Sequence, residues 1–296
     1  MDDSYDEFSM FEENLSEWGL DVPVPLVRRF FVTVDGLRQL SGLAWGEDPE
    51  LVLVHGGAQN AHTYDTLALA LQRPLIALDL PGHGHSDPGP YGASATAQHA
   101  TDVERALDQV VERALPLVGM SLGGLTSILV AHQRPDRVSS LVLVDVTPGV
   151  NAEKARHITD FVNGPASFDS FDEMLERTIA YNPTRSVSSL RRGILHNAVR
   201  QGDGTWVWRH QQHPRSTLVA PDVGDLWSVL AELAMPVTLV RGMAAGSVVD
   251  DEDVAELRRR LPGVTVIPVA GAGHSIQGDA PRELAAILES ALFSNR

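Results

Sequence analysis

The sequence contains no cysteine, so it can form neither a disulfide bond nor a thiolate metal site. It also lacks any apolar run of 18 or more residues, which argues against a membrane-spanning helix. No lysine or arginine precedes Arg28, so the basic region of a secretory signal peptide is missing. Together these absences lead us to expect a cytoplasmic protein.

Positive charge is scarce as well. The chain has 23 lysines and arginines against 39 aspartates and glutamates, a formal net charge of −16, and Lys154 is its only lysine. This balance disfavours nucleic acid and anionic membranes as partners. The length of 296 residues suits one large α/β domain or a core with an inserted subdomain. Nothing in the composition indicates a particular oligomeric state.

Residues 1–25 form an acidic N-terminal segment. Within it, Phe8, Phe11, Leu15 and Trp18 recur at helical spacing. The pattern favours a helix that packs its apolar stripe on the chain's own domain. A helix that binds a partner and a disordered tail are the alternatives.

From residue 26 onward, strands alternate with helices. Residues 26–34 and 37–45 read as a hairpin around Asp35-Gly36, and apolar strands are predicted at 51–54, 74–80, 117–120, 141–144, 237–242 and 264–269. Helices are predicted at 62–72, 97–114, 125–131, 251–260 and 281–293. This alternation implies right-handed crossovers and a mostly parallel sheet of eight strands. We therefore assign residues 26–149 and 234–296 to an α/β core.

The alternation is interrupted at residues 150–233, after the sixth strand. No convincing buried strand is predicted there, and helices are expected near 152–163, 168–180, 186–200 and 223–233, the second with Phe168, Phe171, Leu175 and Ile179 on one face. The position in the chain makes this segment a helical lid candidate. Trp206 and Trp208 either pack between the lid and the core or form a wall of the substrate pocket.

The stretch from Leu117 to Gly124 holds the candidate nucleophile. It reads as an apolar strand, then Gly119-Met120-Ser121-Leu122-Gly123, then an apolar helix, which is the context of a nucleophile elbow. A sharp turn exposes the Ser121 hydroxyl but crowds the backbone on both sides. Gly119 and Gly123 lack the Cβ atoms that would clash there.

A serine hydroxyl needs a base, and the base needs an acid to orient it. His274, in a loop of small residues after the last strand, is the candidate base. Asp145, at the end of the strand that follows the serine helix, is the preferred acid. Asp250 and Asp251 are alternatives, although both also fit capping positions at the start of a helix.

The loop His55-Gly56-Gly57 follows another buried strand and can supply half of an oxyanion hole. The backbone N–H groups of Gly57 and Leu122 are the predicted donor pair. Ala58, the next residue of the loop, is placed in the substrate pocket with the two tryptophans. His83 and His85 lack a third ligand at a sensible spacing, so we expect neither a metal nor a cofactor.

Taken together, these motifs resemble the α/β-hydrolase superfamily over residues 27–293. More narrowly, four stretches are similar to actinobacterial, mycobacterial-type serine esterases: 55–63, 144–148, 189–193 and 206–209. Related small bacterial esterases carry the acid in an Asp-x-x-Pro context like Asp145 to Pro148, and the resemblance therefore supports Asp145.

The expected function is hydrolysis of small-molecule carboxylic esters, with small to medium acyl chains, through an acyl-enzyme. A hydrolase of lactones or carbon–carbon bonds could use the same triad, and a cofactor-free haloperoxidase is a more distant alternative. A ligand-binding protein that kept the fold without turnover is the alternative outside the enzymes.

Overall fold

A central sheet of eight strands organises the chain, seen in a computed structural model that describes residues 5–89, 95–211 and 225–294. The strand order is β1-β2-β4-β3-β5-β6-β9-β10. The β1–β2 and β2–β4 pairs are antiparallel, and the other pairs are parallel, so the predicted mostly parallel eight-stranded sheet is confirmed. The strands are β1 Val27–Asp35, β2 Arg38–Trp45, β3 Leu51–Val54, β4 Leu75–Leu78, β5 Leu115–Met120, β6 Val138–Val144, β7 Ala198–Arg200, β8 Trp206–Trp208, β9 Val237–Gly242 and β10 Thr265–Val269.

Helices cover both faces of this sheet. They are α1 Phe11–Trp18, α2 Asp65–Leu71, α3 Ala95–Val110, α4 Leu122–Gln133, α5 Arg156–Val162, α6 Phe171–Tyr181, α7 Val187–Asn197, α8 Leu226–Ala231, α9 Asp251–Arg260, α10 Ile276–Asp279 and α11 Pro281–Phe293. Short 3₁₀ turns span Ala61–Tyr64 and Arg209–Gln211. Within the described ranges, no helix combines the length and apolarity needed to cross a bilayer.

The buried strands contribute side chains to two separate hydrophobic layers, because successive side chains of a strand point to opposite faces of the sheet. In β3, Val52 and Val54 belong to one layer, which α3, α4, α8 and α9 cover. Leu51 and Leu53 belong to the other, covered by α1, α2 and α11. An all-apolar strand is therefore the expected sequence wherever both faces are covered.

The N-terminal helix α1 lies on the second of these layers. Phe11 and Leu15 are buried there, and the Phe11 ring lies 4.9 Å from the ring of Trp45. Gly19 ends the helix in a left-handed conformation, and its N–H bonds the carbonyl of Ser16. The acidic segment thus packs on the chain's own core. Residues 1–4 lie outside the described part of the chain.

Between β6 and β9 the chain forms an insertion, which we define as residues 150–233. It contains α5, α6, α7 and α8, but it also contains the antiparallel hairpin β7–β8, which the sequence analysis did not predict. The expected helix over 186–200 was wrong at its last three residues, which form β7. Strands of three residues show no alternation, and their pairing with each other and with Phe168 is set by tertiary contacts. Residues 212–224 of the predicted lid range are outside the described residues.

The packing of α1 gives a stability prediction. Replacing Phe11 by Ala should lower the free energy of unfolding by about 3–5 kcal/mol, because it leaves a cavity against Trp45. Phe31→Ala is the matched control, since Phe31 is 50% exposed. Urea denaturation of the two variants checks this. If Phe11→Ala lowered the free energy of unfolding no more than Phe31→Ala does, α1 would contribute little to the core.

Candidate active site

Ser121 lies at the turn between β5 and α4, at the carboxyl edge of the sheet. Its backbone has φ 51° and ψ −120°, a region that residues other than glycine rarely adopt. The Ser121 N–H points to the carbonyl of Val144 on the neighbouring strand, 3.4 Å away. Such strain persists only where the surroundings impose it, and it is found at functional sites.

Two glycines permit this turn. A Cβ on Gly119 would lie 2.5 Å from the carbonyl oxygen of Gly123. A Cβ on Gly123 would overlap the carbonyl oxygens of Val54 and His55. The helix α4 therefore approaches the end of β3 as closely as the backbone allows. The crowding inferred from the sequence is present on both sides of the serine.

Buried Asp145 and partly buried His274 form a pair at the same edge of the sheet. Nδ1 of His274 donates to Oδ2 of Asp145 over 2.9 Å. The other donors to the carboxylate are the Gly242 N–H at 2.9 Å, the Ser247 hydroxyl at 2.7 Å and the Val248 N–H at 3.1 Å. Asp145 is fully buried, so these four donors fix its orientation.

The alternative acids serve other purposes. Asp250 caps α9 through a reciprocal pair of bonds with Asp253, and it pairs with Lys154 at 2.8 Å. Asp251 pairs with Arg241 at 2.6 Å, and its side chain is 94% exposed. Among the three predicted candidates, Asp145 is the carboxylate that contacts His274.

The second imidazole nitrogen of His274 remains available. Nε2 is buried and has no hydrogen-bond partner among the described residues. Three strand ends carry the site: Ser121 follows β5, Asp145 follows β6, and the His274 loop follows β10. In the sheet, β5 pairs with β6, and β9 lies between β6 and β10. The topology thus places three residues that lie far apart in the sequence at one edge of the sheet, where Asp145 and His274 are hydrogen-bonded and the Ser121 hydroxyl is not bonded to the imidazole.

The loop 55–58 lies against the serine. A Cβ on Gly56 would be 3.1 Å from the Cβ of Ser121. The Gly56 carbonyl accepts from Nδ1 of His55 at 2.7 Å, so the Gly57 N–H of the same trans peptide points the opposite way. Leu122 is the first residue of α4, and its N–H has no acceptor within the helix.

Ala58 is clamped at both of its backbone polar groups. Its φ is 60°, its N–H donates to Nε2 of His83 over 3.1 Å, and its carbonyl accepts from the amide of Asn197 in the insertion. The sequence suggested only a metal-ligand role for His83, and no motif marks Asn197. A chain separation of 139 residues leaves no local signal for the second contact.

Trp206 and Trp208 pack inside the insertion. Trp208 is 6% exposed and contacts the rings of Phe161 and Phe168, and Trp206 contacts Phe171. Trp208 also stacks on His210, which stacks on His83 at 6.1 Å. Among the ring contacts of the described residues, Trp208 reaches the core through His210 and His83. A role as pocket wall stays a prediction.

A group of buried histidines surrounds His83. Burial lowers the pKa of His83 well below its usual range, and it lowers the pKa of His99 and His210 to about 4. Nδ1 of His83 donates to the Pro81 carbonyl, so a neutral imidazole serves both of its contacts. These histidines are therefore uncharged at neutral pH.

The histidines predict an acid-sensitive fold. The pKa of His99 is about 4 in the folded chain and about 6.5 when unfolded, so the unfolded chain binds more protons between those values. The free energy of unfolding should fall as pH drops from about 6.5 towards 4. In His99→Gln the slope over that window should be shallower by up to about 1.4 kcal/mol per pH unit. Urea denaturation at several pH values measures this slope.

His132→Gln, at an exposed histidine, is the control and should keep the wild-type slope. An unchanged slope in His99→Gln would contradict the lowered pKa of His99.

Comparison with known proteins agrees with this geometry. Residues 49–281 match the family described as alpha/beta hydrolase fold. The chain is 41% identical over 300 residues to Esterase Rv0045c of Mycobacterium tuberculosis, covering 97% of this chain and 96% of that protein. A structure of the same esterase, from a study of its transition metal inhibition, superposes with a TM-score of 0.86 over 98% of this chain and 99% of the other at 39% identity. The sn-1-specific diacylglycerol lipase ABHD11 of Xenopus laevis is 30% identical, covering 78% of this chain and 75% of that protein. The chain belongs to the α/β-hydrolase fold family.

Proposed function

We propose that this protein is a serine esterase that cleaves carboxylic esters through an acyl-enzyme. The observation that carries the proposal is the strained Ser121 turn at the sheet edge that also holds the His274–Asp145 pair. A strained serine between a strand and a helix is costly unless its exposure serves chemistry. The similarity to a mycobacterial esterase over nearly the whole chain supports the same conclusion.

In this mechanism, Nε2 of His274 accepts the proton of the Ser121 hydroxyl as its oxygen attacks the ester carbonyl. The bond from Nδ1 to Asp145 supports the role, because it fixes the tautomer in which Nε2 carries the lone pair. His274 then gives the proton to the departing alkoxide, and the alcohol leaves. Water, activated by the same nitrogen, attacks the acyl-enzyme and releases the acid.

The N–H groups of Gly57 and Leu122 stabilise the negative charge of each tetrahedral intermediate. The first is oriented by the inward-facing Gly56 carbonyl, and the second stands at the start of α4, where the helix dipole favours an anion. Each such donor contributes on the order of 10²–10³ in rate. The clamp on Ala58 supports this role because it fixes the next peptide of the loop.

For the substrate, we propose esters with small to medium acyl chains. The support is the insertion, whose aromatic side chains pack on one another, as Trp208 does on Phe168. An insertion filled in this way leaves less room for a long acyl chain. Turnover should then be faster for acetyl to octanoyl p-nitrophenyl esters than for the palmitoyl ester. A preference for lactones or for vinylogous diketones in the same panel would favour the alternative hydrolases.

The nucleophile is tested by Ser121→Ala. Hydrolysis of a short p-nitrophenyl ester should fall by at least about 10⁴-fold, because no oxygen remains to form the acyl-enzyme. A fluorophosphonate probe should label the wild type and not the variant. Ser139→Ala, at the opposite end of the sheet, is the control and should keep both properties. Retained turnover in Ser121→Ala would end the proposal, and turnover without labelling would point to another mechanism. A wild type that neither turns over nor is labelled would favour a ligand-binding protein.

The acid is tested by Asp145→Asn. The amide presents an N–H to the imidazole in place of an acceptor, so the wrong tautomer is favoured and kcat should fall about 10³–10⁴-fold. Asp250→Asn and Asp251→Asn should change kcat by less than about twofold, since asparagine caps a helix as well as aspartate at 250 and Asp251 is an exposed partner of Arg241. Steady-state kinetics with one ester measures all three. A collapse in either control, with activity kept in Asp145→Asn, would reassign the acid.

A further inference from the structure

A second cluster of chemically capable side chains lies outside the serine site. His62 belongs to the first 3₁₀ turn, Asp65 begins α2, and His196 is near the end of α7. All three are at least nine-tenths buried. Nδ1 of His62 lies 2.9 Å from Oδ2 of Asp65, and Nε2 of His196 lies 3.7 Å from the same oxygen. One ligand atom from each residue fits within 4.8 Å of the others.

Two atoms of this cluster have no hydrogen-bond partner among the described residues. They are Oδ1 of Asp65 and Nε2 of His196. A buried polar atom without a partner is costly, so it indicates a ligand that completes the arrangement. When Nδ1 of His196 donates to the Tyr5 hydroxyl, Nε2 carries a lone pair, so it and Oδ1 of Asp65 are both acceptors and cannot satisfy each other. A cation can accept a lone pair from each of them.

The remaining imidazole nitrogens are held as they are in metal sites. Nε2 of His62 is 2.9 Å from Oε2 of Glu7, and Nδ1 of His196 is 2.8 Å from the hydroxyl of Tyr5. Metal-binding histidines use their second nitrogen in this way, and the outer partner orients the ring and fixes the tautomer. Arg29 in turn bonds Glu7 at 3.0 Å.

The surrounding charges leave room for a cation. Arg29 is paired with Glu7 and Asp79, and Arg192 with Glu17. Arg209 also lies near enough to act on His196 electrostatically. The acids Glu7, Glu17, Asp65 and Asp79 equal in number the arginines 29, 192 and 209 together with His62, whose pKa, despite its burial, rises to about 9 beside Asp65 and Glu7. An ion that displaces the His62 proton therefore replaces a charge that is already present.

We propose that Nδ1 of His62, a carboxylate oxygen of Asp65 and Nε2 of His196 form a binding site for a divalent transition metal, with zinc as the best-fitting ion. Two imidazoles and one carboxylate with an open fourth position suit tetrahedral zinc, whereas magnesium and calcium prefer oxygen ligands. The ion takes the place of the proton shared by His62 and Asp65. The two rings, now stacked 3.8 Å apart with 10° between their planes, must tilt towards the ion because their lone pairs lie in the ring planes.

Such a site would join three parts of the chain. The ligands come from the core and the insertion, and the outer partners Tyr5 and Glu7 come from the N-terminal segment. Zinc that binds only the folded chain stabilises it. At a free zinc concentration of 100 times Kd, the melting temperature should rise by about 5 °C.

The experiment titrates the full chain, freed of metal by a chelator, with Zn²⁺ alone in a calorimeter. No ester is present, so the result is independent of the esterase proposal. The wild type should bind one zinc ion. His196→Gln and Asp65→Asn should weaken binding by at least about 100-fold, and Tyr5→Phe, which keeps every ligand, by about 10-fold. Thermal unfolding without metal verifies that each variant is folded. If His196→Gln or Asp65→Asn does not fold, Tyr5→Phe still tests the site.

Two control variants separate this cluster from the other imidazoles. His132→Gln removes an exposed histidine, and His274→Gln removes the unpartnered nitrogen at the serine site. Both should bind zinc as the wild type does. Co²⁺ should give the intense visible absorption of a four-coordinate ion in the wild type and lose it in His196→Gln. Absence of zinc binding in the wild type would overturn the proposal. So would wild-type affinity in His196→Gln or Tyr5→Phe, or binding lost only in His274→Gln.

Discussion

The arrangement of the serine site depends on one buried carboxylate. Asp145 accepts hydrogen bonds from the β9 strand end at Gly242, from the following loop at Ser247 and Val248, and from His274. A buried charge is tolerated only when its oxygens are satisfied, so these contacts are obligatory. They tie three segments of the chain to the end of β6, and they fix the imidazole on which the proposed chemistry relies.

This carboxylate also explains the loop after β9. This loop leads to the alternative acids and contains no carboxylate before Asp250. Instead it supplies the donors of Ser247 and Val248 to Asp145. The end of β6 therefore supplies the acid, and the loop after β9 supplies hydrogen bonds that hold it. Asp250 is free to cap α9.

The insertion is joined by direct polar contacts to the loop 55–58, the proposed half of the oxyanion hole. Asn197 donates to the Ala58 carbonyl, and Asn60 donates to the His196 carbonyl at 3.0 Å. On the other side of the loop, His83 accepts the Ala58 N–H and stacks on His210 of the insertion. A movement of α7 would therefore act on the backbone that is proposed to stabilise the oxyanion. These few side chains therefore connect the insertion to the loop that is proposed to stabilise the oxyanion.

The sequence by itself determined the elements with strong local patterns. Continuous apolar runs predicted β3, β4 and the end of β6, and Gly-x-Ser-x-Gly between a strand and a helix predicted the turn at Ser121. These features follow from backbone sterics and burial, which act between near neighbours. The tertiary structure alone decided that His274 contacts Asp145 and not Asp250 or Asp251, because all three carboxylates stand at locally reasonable positions. It also decided the β7–β8 hairpin, the clamp of Asn197 on Ala58, and the meeting of His62 with His196. Those contacts join segments more than a hundred residues apart, or strands too short to show a pattern, and only the folded sheet sets the distances between them.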